Sequence, residues 1–247
     1  MKILFSPSEA KISGGDFKKL NIDSFKFNEC NKSRLEILEK YNNYLKNSCI
    51  EELCNFFGLK DINECKKYKI DIFNEKTTKA IERYLGVAYK YLDYKSLNEK
   101  EKNFIDENVI IFSNLFGPLL AKDKIPNYKF KQGAKLKDLK IEKIYKESCS
   151  SILDKFLEDE DILDLRAGFY EKFYIPNKYY TKLKFIKNGK VVSHFAKAYR
   201  GIILRELAKN KIESIDEFMG LNIEKLSIVE IKKGKKFQEI VYEILTS

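Results

Sequence analysis

The sequence predicts a mixed α/β fold in which a single domain spans residues 1–247. Short apolar runs rich in β-branched residues alternate with longer segments whose apolar residues recur at helical spacing. The 247 residues include only 4 Pro and 11 Gly, and no repeat, low-complexity tract or Pro- or Gly-rich linker divides them. We therefore expect a mixed sheet surrounded by helices, without a domain boundary.

Buried strands are predicted where an apolar run ends at a polar residue. Three runs fit this description, namely Lys2–Phe5 (KILF), Val109–Ser113 (VIIFS) and residues 161–165 (DILDL). The dipeptide at 188–189 is Asn-Gly, which favours the tight turn between two antiparallel strands. We therefore expect residues 182–186 and 191–195 to pair as a hairpin.

Helices are predicted over residues 34–47, 50–57, 77–91, 142–157 and 198–209. Residues 50–68 have the outline of a helix-hairpin-helix, with a tight turn at Gly58. The turn amides of such an element contact DNA phosphates without reading the base sequence. Any pair of short helices gives this outline, and Lys60 replaces the usual second glycine, so both interpretations stay open.

Positive charge is concentrated in two segments. The chain has 47 Lys or Arg against 37 Asp or Glu, a net charge of +10. Residues 118–146 contain 9 basic and 3 acidic side chains, and residues 166–211 contain 12 and 2. Such placement is typical of a surface that faces phosphates, and the alternative is a solvated Lys-rich face.

Only five of these basic residues are arginines, namely Arg34, Arg83, Arg166, Arg200 and Arg205. In a chain that otherwise uses Lys, an Arg suggests a need for the planar guanidinium, which binds phosphate or carboxylate through two hydrogen bonds. Lys197 and Arg200 are three positions apart and therefore adjacent on the predicted helix. We expect this pair, at the start of that helix, to be the better candidate for binding a phosphate.

Composition excludes several classes of site and partner. A single histidine excludes the usual zinc and non-haem iron sites, which need two or three imidazoles. The five cysteines form no C-x-x-C pair and are expected to be reduced, mostly packed thiols. No run approaches the roughly 18–20 apolar residues of a membrane span. We therefore expect no metal, no cofactor and no membrane partner, and a cytoplasmic location.

Polar side chains follow each of the three predicted strands. Glu9 and Lys11 follow the first, Ser113 ends the second, and Asp164 and Arg166 lie at the end of the third. If the strands share a sheet edge, these groups converge into one pocket. Internal ion pairs, such as Asp164 with Arg166, are an equally good interpretation.

Five blocks of the sequence resemble the YaaA family of peroxide-stress proteins. They are ILFSPSEAKISGG (3–15), AIERYLGVAYKYL (80–92), IIFSNLFGPLLAKDKIPNYKFKQGAKL (110–136), ILDLRAGFYEKF (162–173) and VVSHFAKAYRGIILREL (191–207). The resemblance is strongest to the branch with a P-S-E-x-K start and an S-H-F-x-K block, and it covers nearly the whole chain. The resemblance implies a fold peculiar to the family and a cytosolic role in limiting iron-dependent damage under hydrogen peroxide. It also implies DNA binding that tolerates different sequences, through a basic cleft that includes a helix-hairpin-helix. It brings no established catalytic activity.

The family's recurrent polar and glycine positions correspond to a defined set of residues in this chain. They are Ser8, Glu9, Lys11, Tyr84, Gly86, Ser113, Gly117, Asp123, Pro126, Tyr128, Asp164, Arg166, Tyr170, Ser193, His194, Lys197, Gly201 and Arg205. Ala167 stands where the family has a serine, which argues against a nucleophilic hydroxyl there.

Two functional hypotheses follow, and the oligomeric state stays open under both. The first is a protective protein that binds duplex or junction DNA through Lys60, Lys129, Lys131, Arg166, Lys172, Lys197, Arg200 and Arg205. The second is an enzyme that acts on a small phosphorylated or nucleotide-like ligand. Its pocket would use Glu9, Lys11, Ser113, Asp164, Arg166 and His194, together with Lys197. His194 would be a general base or, alternatively, a hydrogen-bonded structural histidine.

Overall fold

The computed structural model describes residues 1–136 and 139–245, with only the main chain of His194 described. Its strands are β1 (Lys2–Phe5), β2 (Phe17–Lys19), β3 (Lys76–Lys79), β4 (Val109–Ser113), β5 (Gly117–Leu120), β6 (Lys124–Pro126), β7 (Ile162–Asp164), β8 (Tyr180–Lys187), β9 (Lys190–Val191), β10 (Leu226–Lys233) and β11 (Phe237–Ile244). Its helices are α1 (Asn31–Asn47), α2 (Ile50–Phe57), α3 (Ile62–Lys66), α4 (Ala80–Arg83), α5 (Val87–Leu92), α6 (Glu99–Asn108), α7 (Ile141–Phe156), α8 (Ser193–Asn210) and α9 (Ile215–Gly220). The predicted mixed α/β class is confirmed.

The main sheet is mixed and has eight strands among the described residues. Its order is β10-β11-β8-β7-β1-β4-β5, and β9 pairs with β8. Strand β1 lies between β7 and β4 and runs parallel to both. The carboxyl ends of these three strands therefore meet at one edge of the sheet. A second, antiparallel sheet has the order β2-β3-β6.

Two predicted segments differ from the structure. Residues 191–195 do not form a long second hairpin strand, because β9 ends at Val191 and α8 begins at Ser193. Buried Ala196, Tyr199 and Ile203 recur at helical spacing and draw this segment into α8. Residues 77–91 are not one helix either. Residues 76–79, with two β-branched threonines, pair with β6, and Gly86 at φ +123° separates α4 from α5.

The cysteines also depart from the expectation of unpaired thiols. The structure pairs Cys30 with Cys149 and Cys54 with Cys65, with Cα atoms 5.6 and 5.5 Å apart. These spacings suit disulfides, and Cys49 is exposed and outside both pairs. Cys30 and Cys149 are separated by 119 residues in the chain, so only tertiary packing brings them together.

Helix α8 approaches helix α5 so closely that Gly201 has no room for a side chain. A Cβ atom there would overlap the carbonyl oxygen of Ala88. The contact holds α8 over the carboxyl edge of β1, where α5 also begins. None of the helices in residues 1–136 and 139–245 is both long and apolar enough to cross a bilayer.

The Gly201→Ala variant tests this helix contact. We expect it to lower the free energy of unfolding by about 1–3 kcal/mol, because overpacking outweighs the gain of about 1 kcal/mol in helix propensity. Urea unfolding followed by circular dichroism measures the change. Gly220→Ala is the control, since a Cβ atom at Gly220 would meet nothing within 4 Å. A Gly201→Ala protein as stable as the parent would contradict the close packing.

Candidate functional site

A cavity of about 450 Å³ opens at the carboxyl edge of β1 and β7. Its walls come from the loop after β1, the start of α5, the segment after β7, Gln132 and helix α8. We call it the β1 cavity. A second, more open depression of about 650 Å³ has Glu82 and Asp93 beside Lys90 and Lys95 in its walls. Its acidic and basic groups balance, so it offers no preference for an ion of either sign.

The loop after β1 is fixed by hydrogen bonds from three other parts of the chain. The Tyr89 hydroxyl donates to the Ser6 carbonyl oxygen at 2.8 Å. The Ala167 N–H donates to Ser6 Oγ at 2.8 Å, and the Gln132 N–H donates to Glu9 Oε1 at 3.3 Å. The loop also passes close to Gly86, where a Cβ atom would lie 2.6 Å from Ser8 Oγ. The mouth of the β1 cavity is thus held in one shape before any ligand binds.

Two cations of helix α8 line the β1 cavity. Lys197 is exposed, whereas Arg200 is partly buried. Burial lowers the pKa of Arg200 from its usual value, while the negative charge of Asp164 opposes that shift. Within the described part of the chain the Arg200 side chain has neither a hydrogen bond nor an ion pair. A partly buried guanidinium without a partner is costly, and an anion in the cavity would supply one.

The other four arginines are bound to the protein itself. Arg34 donates to the carbonyl oxygens of Phe27, Phe116 and Pro118, and Arg83 donates to those of Ile12 and Ile125. Both side chains are fully buried. Most of the arginines therefore use the planar guanidinium to bind main-chain carbonyls. We predicted from the sequence that an arginine marks a site for an anion, and among the five only Arg200 fits that prediction.

Arg166 and Arg205, two of the predicted DNA contacts, both have partners within the protein. Arg166 is 5% exposed and binds both carboxylate oxygens of Asp164, at 2.9 and 2.7 Å. Its remaining nitrogen donates to the carbonyl oxygens of Tyr170 and Tyr174. Arg205 donates to the carbonyl oxygens of Leu92 and Asp93, at the end of α5. The internal ion pair of Asp164 with Arg166, considered from the sequence, is what the structure shows.

Lys11 lies between two tyrosine rings beneath the loop after β1. Its Nζ is 4.1 Å from the ring centre of Tyr128 and 5.4 Å from that of Tyr84. It donates to the Glu9 carbonyl oxygen at 3.3 Å. Burial, and then the nearby charges of Lys129 and Arg83, lower the pKa of Lys11 to about 7, although Glu9 opposes this shift. Lys11 is therefore partly neutral at physiological pH.

Ser113 belongs to a buried hydrogen-bond chain and does not reach the β1 cavity. Its hydroxyl lies 2.8 Å from the Tyr128 hydroxyl, which lies 2.8 Å from that of Tyr84. Ser113 Oγ also accepts from the N–H groups of Leu115 and Phe116. Burial raises the pKa of Tyr84 to about 12. Ser113 thus orients the turn after β4, and it is not placed as a nucleophile.

Helices α2 and α3 are the short helices predicted on either side of Gly58, which has φ +65°. The N–H groups of Gly58 and Leu59 donate to the carbonyl oxygens of Asn55 and Cys54, at the end of α2. These two turn amides are engaged, so contact with a phosphate there would have to come from other groups of the turn, such as the Lys60 side chain. Lys60 is exposed, and the Lys131 ammonium lies against Gly58. A DNA-contacting role for this element stays a prediction.

The structure brings together some of the residues that the sequence singled out and separates others. Glu9, Lys197 and Arg200 share the β1 cavity. Lys11 lies below it, Ser113, Asp164 and Arg166 are buried, and the side chain of His194 lies outside the described residues. Sequence reasoning missed Tyr89 and Gln132, because an aromatic residue at helical spacing and a lone glutamine carry no signal of a site. Across residues 1–136 and 139–245, no three or more His, Cys, Asp or Glu side chains gather as metal ligands would.

The Lys11→Met variant tests the environment of Lys11. Between pH 7 and about 10.4 the unfolded chain keeps a proton on Lys11 that the folded protein has lost, so stability rises with pH in this window. We expect the variant to lose this part of the rise, measured as unfolding free energy at pH 7 and pH 9. Lys32→Met, at an exposed lysine, should keep the parent's pH dependence. An unchanged slope in Lys11→Met would show that Lys11 stays charged.

A matched pair of arginine variants tests which guanidinium has a structural role. Arg166→Gln should lower the free energy of unfolding by about 3–5 kcal/mol, because it leaves the buried Asp164 carboxylate without its cation. Arg200→Gln should change it by no more than about 0.5 kcal/mol, because no hydrogen bond or ion pair among the described residues is lost. Urea unfolding measures both. Equal losses of unfolding free energy in the two variants would mean that Arg200 also stabilises the fold through a partner.

Comparison with known proteins places the chain in a family. The family model described as peroxide stress protein YaaA matches residues 1–232. An uncharacterised protein of Campylobacter jejuni is 50% identical over 246 residues, covering 99% of this chain and 100% of that protein. UPF0246 proteins of Malacoplasma penetrans and Fusobacterium nucleatum are 31% and 28% identical, over 87% and 92% of this chain and 91% and 93% of theirs. The chain belongs to the family of the peroxide stress protein YaaA.

Proposed function

We propose that this protein acts in peroxide stress by binding DNA largely without sequence preference, and that it thereby limits iron-dependent oxidative damage. The family name supports the peroxide-stress role. The link to iron comes from the family resemblance seen in the sequence. Support for DNA binding comes from lysines on neighbouring segments between the turn at Gly58 and the β1 cavity. We call this set, Lys60, Lys129, Lys131, Lys172 and Lys197, the basic strip.

Contacts between neighbouring segments bring parts of the basic strip close together. The Lys131 ammonium lies against Gly58, and the next residue, Gln132, lines the mouth of the β1 cavity. Gly133 faces the ring of Phe169, where a Cβ atom would lie 3.8 Å from the nearest ring atom. The Lys172 Nζ lies 5.0 Å from the centre of that same ring. The two basic segments of the sequence are therefore adjacent in space.

Two of the acidic groups between the two basic segments, Glu160 and Asp161, lie at the opposite end of the sheet. Glu160 and Asp161 precede β7, and Glu160 binds the N-terminal ammonium of Met1 at 2.8 Å. Asp161 accepts from the N–H of Ile215. The parallel strands β7 and β1 thus separate the Glu160 and Asp161 side chains from the edge of the sheet where Lys197 lies. A polyanion approaching the basic strip meets attraction from lysines without repulsion from these acids.

The chemistry of the basic strip favours backbone contact over base reading. Its members are all lysines, whose ammonium groups act as mobile point charges rather than as planar forks that pair with a base edge. Lys60, Lys172 and Lys197 are exposed. Phosphate contacts of this kind fix orientation on the duplex and carry no sequence information. Binding should therefore be strongly dependent on salt and tolerant of sequence.

Fluorescence anisotropy of labelled duplex and four-way-junction DNA over several salt concentrations tests the proposal. Each lost phosphate contact lowers the slope of log K against log salt by about 0.9. We expect the Lys131→Gln/Lys172→Gln variant to flatten the slope by about two units on any duplex sequence.

The matched control is the Lys209→Gln/Lys232→Gln variant. Lys209 is paired with Glu206 near the end of α8, and Lys232 is paired with Glu230 on the edge strand β10. This control has the same change in net charge and should keep the parent's slope. No binding of the parent at about 50 mM salt, or equal slopes in the two variants, would refute the proposal.

A further inference from the structure

The β1 cavity has a cationic wall that includes Arg200, which is not part of the basic strip. The Arg200 side chain lacks a hydrogen-bond or ion-pair partner among the described residues, unlike the other four arginines. Lys197 lies one helical turn before it on the same face of α8. Ser8, in the opposite wall, has no hydrogen-bond partner in residues 1–136 or 139–245. A guanidinium, an ammonium and a hydroxyl together are suited to a phosphate group.

The remaining walls are largely apolar, which limits what the phosphate can be attached to. Pro7, Val87 and Leu165 line the cavity together with the rings of Tyr89 and Tyr170. A sugar phosphate would bring several hydroxyl groups against these walls, and each would lose hydrogen bonds to water. A planar base needs only apolar contact on its faces. The volume of about 450 Å³ is in the range of sites for ligands of this size.

One carboxylate lies at the cavity mouth and selects among planar groups. Glu9 Oε1 accepts from the Gln132 N–H at 3.3 Å, which holds the carboxylate in place. The other oxygen, Oε2, has no partner among the described residues. A carboxylate accepts hydrogen bonds from the amino group of a base, as it does from the cytosine N4 amine. Thymine and uracil lack an exocyclic amine, so they cannot donate this hydrogen bond to Glu9 Oε2.

We propose that the β1 cavity binds a nucleoside monophosphate unit whose base carries an exocyclic amino group. The phosphate pairs with Arg200 and Lys197, the base lies against the apolar walls, and its amino group donates to Glu9. The same unit has two sources, a free nucleotide or an unpaired nucleotide of a DNA strand. The proposal needs only the cavity, and it stands whether or not the basic strip binds DNA.

Isothermal titration calorimetry with free dAMP, dGMP, dCMP, dTMP and inorganic phosphate, without DNA, tests the first source. We expect the three amino-bearing nucleotides to bind more tightly than dTMP and than inorganic phosphate. Arg200→Gln should weaken their binding by about 10–100-fold, as expected for lost hydrogen bonds to a charged group. Glu9→Gln should reduce the preference over dTMP. Lys209→Gln, which is on the same helix and outside the cavity, should change neither.

The second source is tested with a duplex that contains one unpaired deoxyguanosine and with the same duplex fully paired. Suppose that free nucleotides do not bind but the duplex with the unpaired site binds more tightly. If Arg200→Gln removes this preference and Lys131→Gln/Lys172→Gln keeps it, the cavity binds a nucleotide within DNA. Loss of the phosphate contacts made by the basic strip would instead weaken binding of the two duplexes to the same extent. The cavity proposal is overturned if free nucleotides bind no better than inorganic phosphate and the two duplexes bind equally. It is also overturned if Arg200→Gln leaves all these affinities unchanged.

Discussion

The approach of helix α8 to helix α5 at Gly201 is the contact on which the arrangement of the site depends. Because α8 has no side chain at this point, its main chain meets the Ala88 carbonyl of α5. This places Lys197 and Arg200 over the loop that follows β1. Arg205, further along α8, donates to the carbonyl oxygens at the end of α5 and holds the two helices in register. One close contact therefore joins the cations of α8 to the carboxyl edge of the parallel strands.

The arginines show how one residue type serves two purposes in this protein. Four of them bind main-chain carbonyls or the Asp164 carboxylate, and Arg34 and Arg83 do so with no exposed surface. Arg34, Arg83 and Arg205 join segments far apart in the chain, as Arg34 does with Pro118, whereas Arg166 binds partners no more than eight residues away. A guanidinium can satisfy several carbonyls at once because its five N–H groups diverge within a plane. In the part of the chain that the structure describes, the Arg200 side chain has no such partner, and an anion in the cavity that it lines would supply one.

Local sequence patterns predicted the elements that build the site better than they predicted the site itself. Strands Lys2–Phe5 and Val109–Ser113 and helix Ile50–Phe57 have the predicted bounds, because apolar runs and helical spacing act over a few residues. The start of α8 was missed because Val191 and Val192 favour a strand, whereas the buried spacing from Ala196 onward favours a helix. Residues 77–91 were misassigned because the pairing of β3 with β6 depends on a segment about 47 residues away.

Residue order alone predicts the mixed α/β class, the polar groups after the strands, the two basic segments and the family resemblance, since each is a property of neighbouring residues or of their order. Tertiary structure decided which of those polar groups reach a cavity. It buried Ser113 and Arg166, placed Lys11 between two rings, and paired Cys30 with Cys149. It also left the Arg200 side chain without a hydrogen-bond or ion-pair partner among residues 1–136 and 139–245. The physical reason is that burial and pairing depend on contacts between residues distant in the chain, and no local pattern records which of those contacts form.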